Sequence, residues 1–122
     1  MKAIAVGGQM LKPQICEYIK KFGNGEYSPI SESDFQAALL VKNGQADYYF
    51  GCCATGAGGS LAGAIAILGY SNCASISLPG KVPVREEITQ KLKEGKKAFG
   101  FTDGSAENAV RMLIEEIDKL GK

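Results

Sequence analysis

Histidine is absent from all 122 residues, so the commonest general base and the commonest transition-metal ligand are excluded from any mechanism of this chain. An excess of either charge is also absent. Fourteen Lys plus Arg face 13 Asp plus Glu, and a net charge of +1 gives no field to draw nucleic acid or an acidic membrane surface. No apolar run approaches the roughly 20 residues needed to span a bilayer, and "LAGAIAIL" (61–68) falls well short. The N-terminal "MKAIAVGGQM" has a short apolar run that ends in glycines, without the apolar core and cleavage site of a secretory signal. A cytoplasmic protein with no membrane insertion is expected. Cysteine is scarce. Cys16, Cys52, Cys53 and Cys73 are scattered but for one adjacent pair, matching neither a disulfide framework nor a CxxC zinc site. No metal and no cofactor are therefore expected.

The chain is long enough for one sizeable core, so residues 1–122 read as a single domain. Its segments alternate. "KAIAVGG" reads as a buried strand, and "KPQICEYIKKFGNGE" as a helix with Pro13 near its start, Ile15, Tyr18, Ile19 and Phe22 at helical spacing, and Gly23 as a stop. "YSPIS" is a weak strand in which Pro29 suits only an edge, followed by a helix capped from the Ser31, Ser33 and Asp34 cluster. "ADYYFGCC", "CASISLPG" and "KAFGFT" supply three more strands. Each is followed by a helix, the last buried through Ala109, Val110, Leu113, Ile114, Ile117 and Leu120.

Five strands, each followed by a helix, predict an α/β fold: a three-layer, doubly wound, mainly parallel sheet. The expected order is the flavodoxin-like 2-1-3-4-5, with the proline-bearing second strand at an edge. That order reverses direction between strands one and three. Their carboxyl-end loops, Gly7 to Met10 and Cys52 to Ser60, then line one crevice.

The second loop, "CCATGAGGSLAGA", holds four glycines in thirteen residues, which adds little to a packed core. Glycines before a helix let backbone amides and the helix N-terminus meet an anion such as phosphate or carboxylate. The expected ligand-binding residues are Gly7, Gly8, Gln9, Gly56, Ala57, Gly58, Gly59 and Ser60, with Lys81 after strand four at the same rim. Lys12, Arg85 and Asp103 are further candidates for that rim. The pattern is neither a Walker loop nor GxGxxG after the first strand, so neither a nucleoside triphosphate nor a dinucleotide is favoured. Cys53 stands where a helix N-terminus lowers a thiol pKa, whereas Cys52, with alternate facing, points into the core. Ala62, Gly63 and Ala66 allow close packing of the next helix on the sheet or on a twin helix in a homodimer.

Two resemblances attach to these residues. "KNGQADYYFGCCATGAGGSLAGAIAILGY" followed by "KKAFGF" resembles the YhfU type, a bacterial family catalogued as domain of unknown function 2620, over nearly the whole chain. The shorter "CATGAGGSLA" is similar to the "CGTGxGxSxA" loop of the ribose-5-phosphate isomerase B and galactose-6-phosphate isomerase family. That likeness implies that Cys53 moves a proton between adjacent sugar carbons, that Thr55 assists ring opening, and that the amides from Gly56 to Ser60 hold an enediolate. The histidines of that family have no counterpart here, and Gly63-Ala64-Ile65 stands where it has Ala-Asn-Lys. The expected function is binding of a small anionic metabolite, phosphorylated or a sugar acid, with isomerase-like use of Cys53. The alternative is a non-catalytic ligand-binding or regulatory subunit of a metabolic or transport system.

Overall fold

Apolar residues alternate between the two faces of each central strand, and the two faces differ in bulk. Ile4, Val6, Phe50, Cys52, Phe99 and Phe101 pack on one side, while Ala5, Tyr49 and Ala98 pack on the other. Such alternation requires cover on both sides. The computed structural model, which describes residues 1–56 and 58–121, supplies it. The strands are β1 (Lys2–Gly8), β2 (Tyr27–Ser31), β3 (Tyr48–Cys53), β4 (Cys73–Ser75) and β5 (Ala98–Thr102). The helices are α1 (Lys12–Gly23), α2 (Asp34–Lys42), α3 (Gly58–Leu68), α4 (Arg85–Lys93) and α5 (Ala106–Leu120). Side chains of α1, α4 and α5 close over the bulky face, and those of α2 and α3 over the small-residue face.

Local signals account for the helix ends. Pro13 opens α1, and Asn24 at φ 52° follows its last residue. The Ser33 hydroxyl accepts the Gln36 N–H at 3.3 Å and caps α2. Helix α5 has the strongest apolar stripe. Ala109, Val110, Leu113, Ile114 and Ile117 are buried on it, but Leu120, expected to be buried, lies past the end of the core and is 44% exposed.

All five strands are parallel, as expected, but their order is β2-β1-β3-β5-β4 and not 2-1-3-4-5. Lateral burial explains the exchange. Every residue of β5 is buried, whereas β4 has only three residues and its Ser75 is exposed. The longer, more apolar strand takes the interior and the short one the edge. One consequence concerns the site. The end of β5 now lies beside the end of β3, and Thr102 pairs with Cys53.

Candidate functional site

A row of glycines crosses the sheet near its carboxyl edge, where Gly7 of β1 pairs with Gly51 of β3 and Gly51 pairs with Gly100 of β5. Glycine inside a strand marks a close approach, and here α3 makes that approach. A Cβ on Gly51 would run into the Ser60 carbonyl, and one on Gly100 would lie 2.5 Å from Ser60 Oγ and 2.8 Å from Leu61 Cγ. The first turn of α3 thus rests almost on bare backbone. Gly63 serves the same helix elsewhere: a Cβ there would lie 2.8 Å from the Asp34 carbonyl carbon, so α3 packs close to α2.

Under that turn sits Cys53, 3% exposed. Its sulfur accepts the Gly56 N–H at 3.2 Å and lies 3.3 Å from the Thr55 hydroxyl. Burial alone would push the thiol pKa up. Hydrogen bonds from the Thr55 hydroxyl and amide, the Ser60 hydroxyl and the Gly56 amide outweigh it and bring Cys53 down to about 7. The lowering expected from a helix N-terminus is thus delivered by hydrogen bonds. Cys52 behaves oppositely. It faces the bulky core, fully buried, and burial, with smaller contributions from Asp103 and Cys53, pushes its thiol up to about 12. Strand alternation separates the two thiols chemically although they are adjacent in sequence.

Gly56 holds the loop in shape. Its φ of +73° is a conformation that favours glycine, and a Cβ would strike the Ser77 carbonyl. The Gly56 carbonyl accepts the Ser75 hydroxyl at 2.9 Å, while Ser77 Oγ accepts the Thr102 N–H at 2.9 Å. The loop after β3 is thereby tied to the end of β4, and the segment after β4 to the end of β5.

At the carboxyl ends of β1 and β3, where the crevice is expected, the two loops are bonded to each other. The Gly8 N–H donates to the Tyr49 hydroxyl at 3.1 Å, and the Gln9 and Met10 amides both donate to the Cys52 carbonyl, at 2.9 and 3.2 Å. The Gln9 side chain covers Gly59, where a Cβ would lie 2.5 Å from its Oε1. Gly7, Gly8, Gln9, Gly59 and Ser60 are therefore brought together where these loops meet, with Gln9 exposed. Ala57 lies outside the described residues, and Gly58 begins α3.

Open space begins one residue on, at Ala54, and Cys53 itself is not on its wall. A cavity of about 420 Å³ is bounded by Ala54, the turn Leu78 to Val82, and Thr102 to Ser105. Lys81 stands on its wall, in a turn closed by reciprocal backbone bonds with Leu78, and its Nζ meets Glu87 at 3.0 Å. Asp103 lines the same cavity. Lys12 does not; its Nζ donates to the Glu32 carbonyl at 3.0 Å. Arg85, a candidate for this rim, instead spans α4 to α5 through Glu116 at 2.7 Å and Glu115 at 2.8 Å.

Tyr49, Gly51, Gly100, Ser77 and Thr102 escaped the sequence reading. The available signal was a glycine within each of two apolar strands, "YYFGCC" and "AFGFT".

The family model described as protein of unknown function DUF2620 matches residues 2–117. The chain belongs to the DUF2620 family. Bacterial relatives carrying the name uncharacterized protein YhfU, from Escherichia coli strain K12 and from Shigella flexneri, are each 40% identical over 117 residues. That similarity spans 96% of this chain and 99% of theirs. No solved structure matches. Among the described residues of this DUF2620 member, no helix is long and apolar enough to cross a membrane.

Proposed function

We propose that this DUF2620 protein binds a small anionic metabolite, phosphorylated or a sugar acid, in the cavity that begins at Ala54 and Thr102, the neighbours of Cys53 in chain and sheet, and that Cys53 moves a proton between adjacent carbons of that ligand. The convergence of the Thr55, Gly56 and Ser60 donors on one buried sulfur carries this reading, because a thiolate with an acidity near neutrality is suited to both taking up and returning a proton. In the forward step the sulfur takes the proton from the carbon next to a carbonyl, and the electron pair moves to the carbonyl oxygen to form an enediolate. Return of the proton to the neighbouring carbon, with the hydroxyl proton of the second carbon passing to the first oxygen, completes an aldose to ketose exchange. Lys81, which lines the cavity with Ala54, supplies positive charge for the ligand's anionic group by exchanging its Glu87 partner for it. The local likeness of "CATGAGGSLA" to the loop of the sugar-phosphate isomerases supports this assignment.

A non-catalytic binding subunit is the second reading, favoured by the absence of histidine and by the 3% exposure of Cys53. We place either activity in the cytoplasm and in a homodimer whose contact includes Ala62 and Ala66, which α3 leaves exposed.

Thermal unfolding in the presence of inorganic phosphate, sugar phosphates and sugar acids examines the shared part of both readings. A bound ligand raises Tm, and Lys81→Ala should abolish the rise. Failure of every anion to move Tm would overturn the ligand assignment. Turnover unchanged in Cys53→Ala would remove the catalytic role, and binding without turnover would establish the second reading.

A further inference from the structure

Tyr49 is fully buried in β3, on the same face as Gly51 and Cys53. Its ring fills space that side chains at two glycines would otherwise claim. A Cβ on Gly7 would lie 2.6 Å from its Cε2, and one on Gly51 would lie 3.0 Å from its Cε1. A phenylalanine ring would fill the same space, so packing does not account for the hydroxyl. A buried hydroxyl is costly unless it is hydrogen-bonded. This one is bonded twice: it accepts the Gly8 N–H at 3.1 Å and donates to the Ser60 carbonyl at 2.7 Å. Ser60, itself buried, is the residue whose hydroxyl reaches the Cys53 thiol.

We propose that Tyr49 is a positioning residue for Cys53, its hydroxyl fixing the first turn of α3 to the end of β1 so that the Ser60 hydroxyl stays on the sulfur. The inference rests on the assignment of Cys53 as the reactive group. It also ties the loop after β1, which carries Gln9, to the chemistry of β3. The ionisable groups acting on Tyr49 are Asp34 from α2, Cys73 from β4 and Cys53 itself. Burial, reinforced by Asp34, raises the phenol well above its ordinary range, so Tyr49 stays protonated while Cys53 titrates. The groups bonded to Cys53 are all uncharged; Cys52 and Asp103 lie next along the chain and beyond Thr102.

The experiment is alkylation by iodoacetamide from pH 5 to 9, with tandem mass spectrometry separating Cys53 from Cys52, in the parent and in Tyr49→Phe. The parent should react with a midpoint near 7. The variant should show a midpoint about one unit higher, with a rate at pH 7 reduced about five-fold by its smaller thiolate fraction. Equal midpoints in two folded proteins would overturn the role of Tyr49 and leave that of Cys53 standing. An ordinary thiol midpoint in the parent would overturn the Cys53 assignment, and the role of Tyr49 with it. A measurement on the parent alone covers the case in which Tyr49→Phe does not fold. The Gly8 amide resonance, one hydrogen bond from Tyr49, should shift with the Cys53 midpoint and lose that inflection in Cys53→Ala. A Gly8 resonance flat across the titration would overturn the proposal.

Discussion

The Gly56 N–H points at the Cys53 sulfur from 3.2 Å, and the same glycine is held at φ +73° against the Ser77 carbonyl. A backbone donor fixed in this way cannot turn to another partner without moving the segment after β4. The side-chain hydroxyl of Thr55 leads in lowering the Cys53 pKa, and the path of the main chain, through the Thr55 and Gly56 amides, adds a part that is fixed by the fold.

The Thr55 hydroxyl is the largest single contributor that lowers the Cys53 pKa, and Thr55 is exposed. Thr55→Val should leave the fold intact and raise the pH midpoint of Cys53 alkylation. The thiolate fraction grows as pH rises through the midpoint, so the fold-loss of rate should be greatest below about pH 7, shrink as pH rises through the two midpoints, and vanish by about pH 10. Rate measurements across this range check both the size and the direction of the change.

Gly51→Ala should destabilise the protein by about 1 to 3 kcal/mol, an overpacking cost, because the added methyl meets the Ser60 carbonyl and the Tyr49 ring. Gly44→Ala provides a contrast, since no atom lies within 4 Å of its Cβ position and only the φ of +79° resists substitution. Urea unfolding of the two variants should separate crowding from backbone conformation, with Gly51→Ala the more costly. Equal costs would mean that α3 does not bear on the glycine row.

Two lysines serve as test and control for the cavity at the carboxyl ends of β3 and β5, since Lys81 lines it and Lys12 does not. Lys81→Ala should remove ligand-induced stabilisation, whereas Lys12→Ala, whose ammonium is held at the Glu32 carbonyl, should retain it. Thermal unfolding with the best-binding anion reads both.

Acid sensitivity should centre on Glu116. Its carboxylate is held at about 2, first by the Lys119 hydrogen bond and then by those of Arg85 and Thr89, against the opposing effect of burial. A folded-state pKa below the unfolded value of about 4.3 gives stability that is fully present above that value. The contribution disappears as pH falls toward 2. Glu116→Gln should therefore cost about 1 to 2 kcal/mol at pH 7 and flatten the stability profile between about pH 4.5 and 2. Urea midpoints at several pH values give the comparison.

Much of the fold follows from local pattern. Alternating apolar residues in "YYFGCC" assign Cys52 to the bulky core and Cys53 to the opposite face, and Pro29 assigns β2 to an edge. The exchange of β4 and β5 could not be read this way. Periodicity along a strand reports which faces are covered, whereas lateral position depends on how much pairing length each strand offers. Only three residues of the segment beginning at Cys73 form β4. The same limit applies to the site. Glycine and cysteine marked the loop, but Tyr49 read as an ordinary apolar strand residue, because its hydroxyl acquires a purpose only when Gly8 and Ser60 arrive from distant segments.

The two edges of the sheet also limit how copies of this protein can associate. At one edge, Pro29 removes a backbone donor from β2; at the other, β4 offers only three residues. Neither presents the long, regular row of donors and acceptors from which intermolecular strand pairing and fibrillar aggregation begin. The sheet is thus blunted against runaway growth at both of its ends.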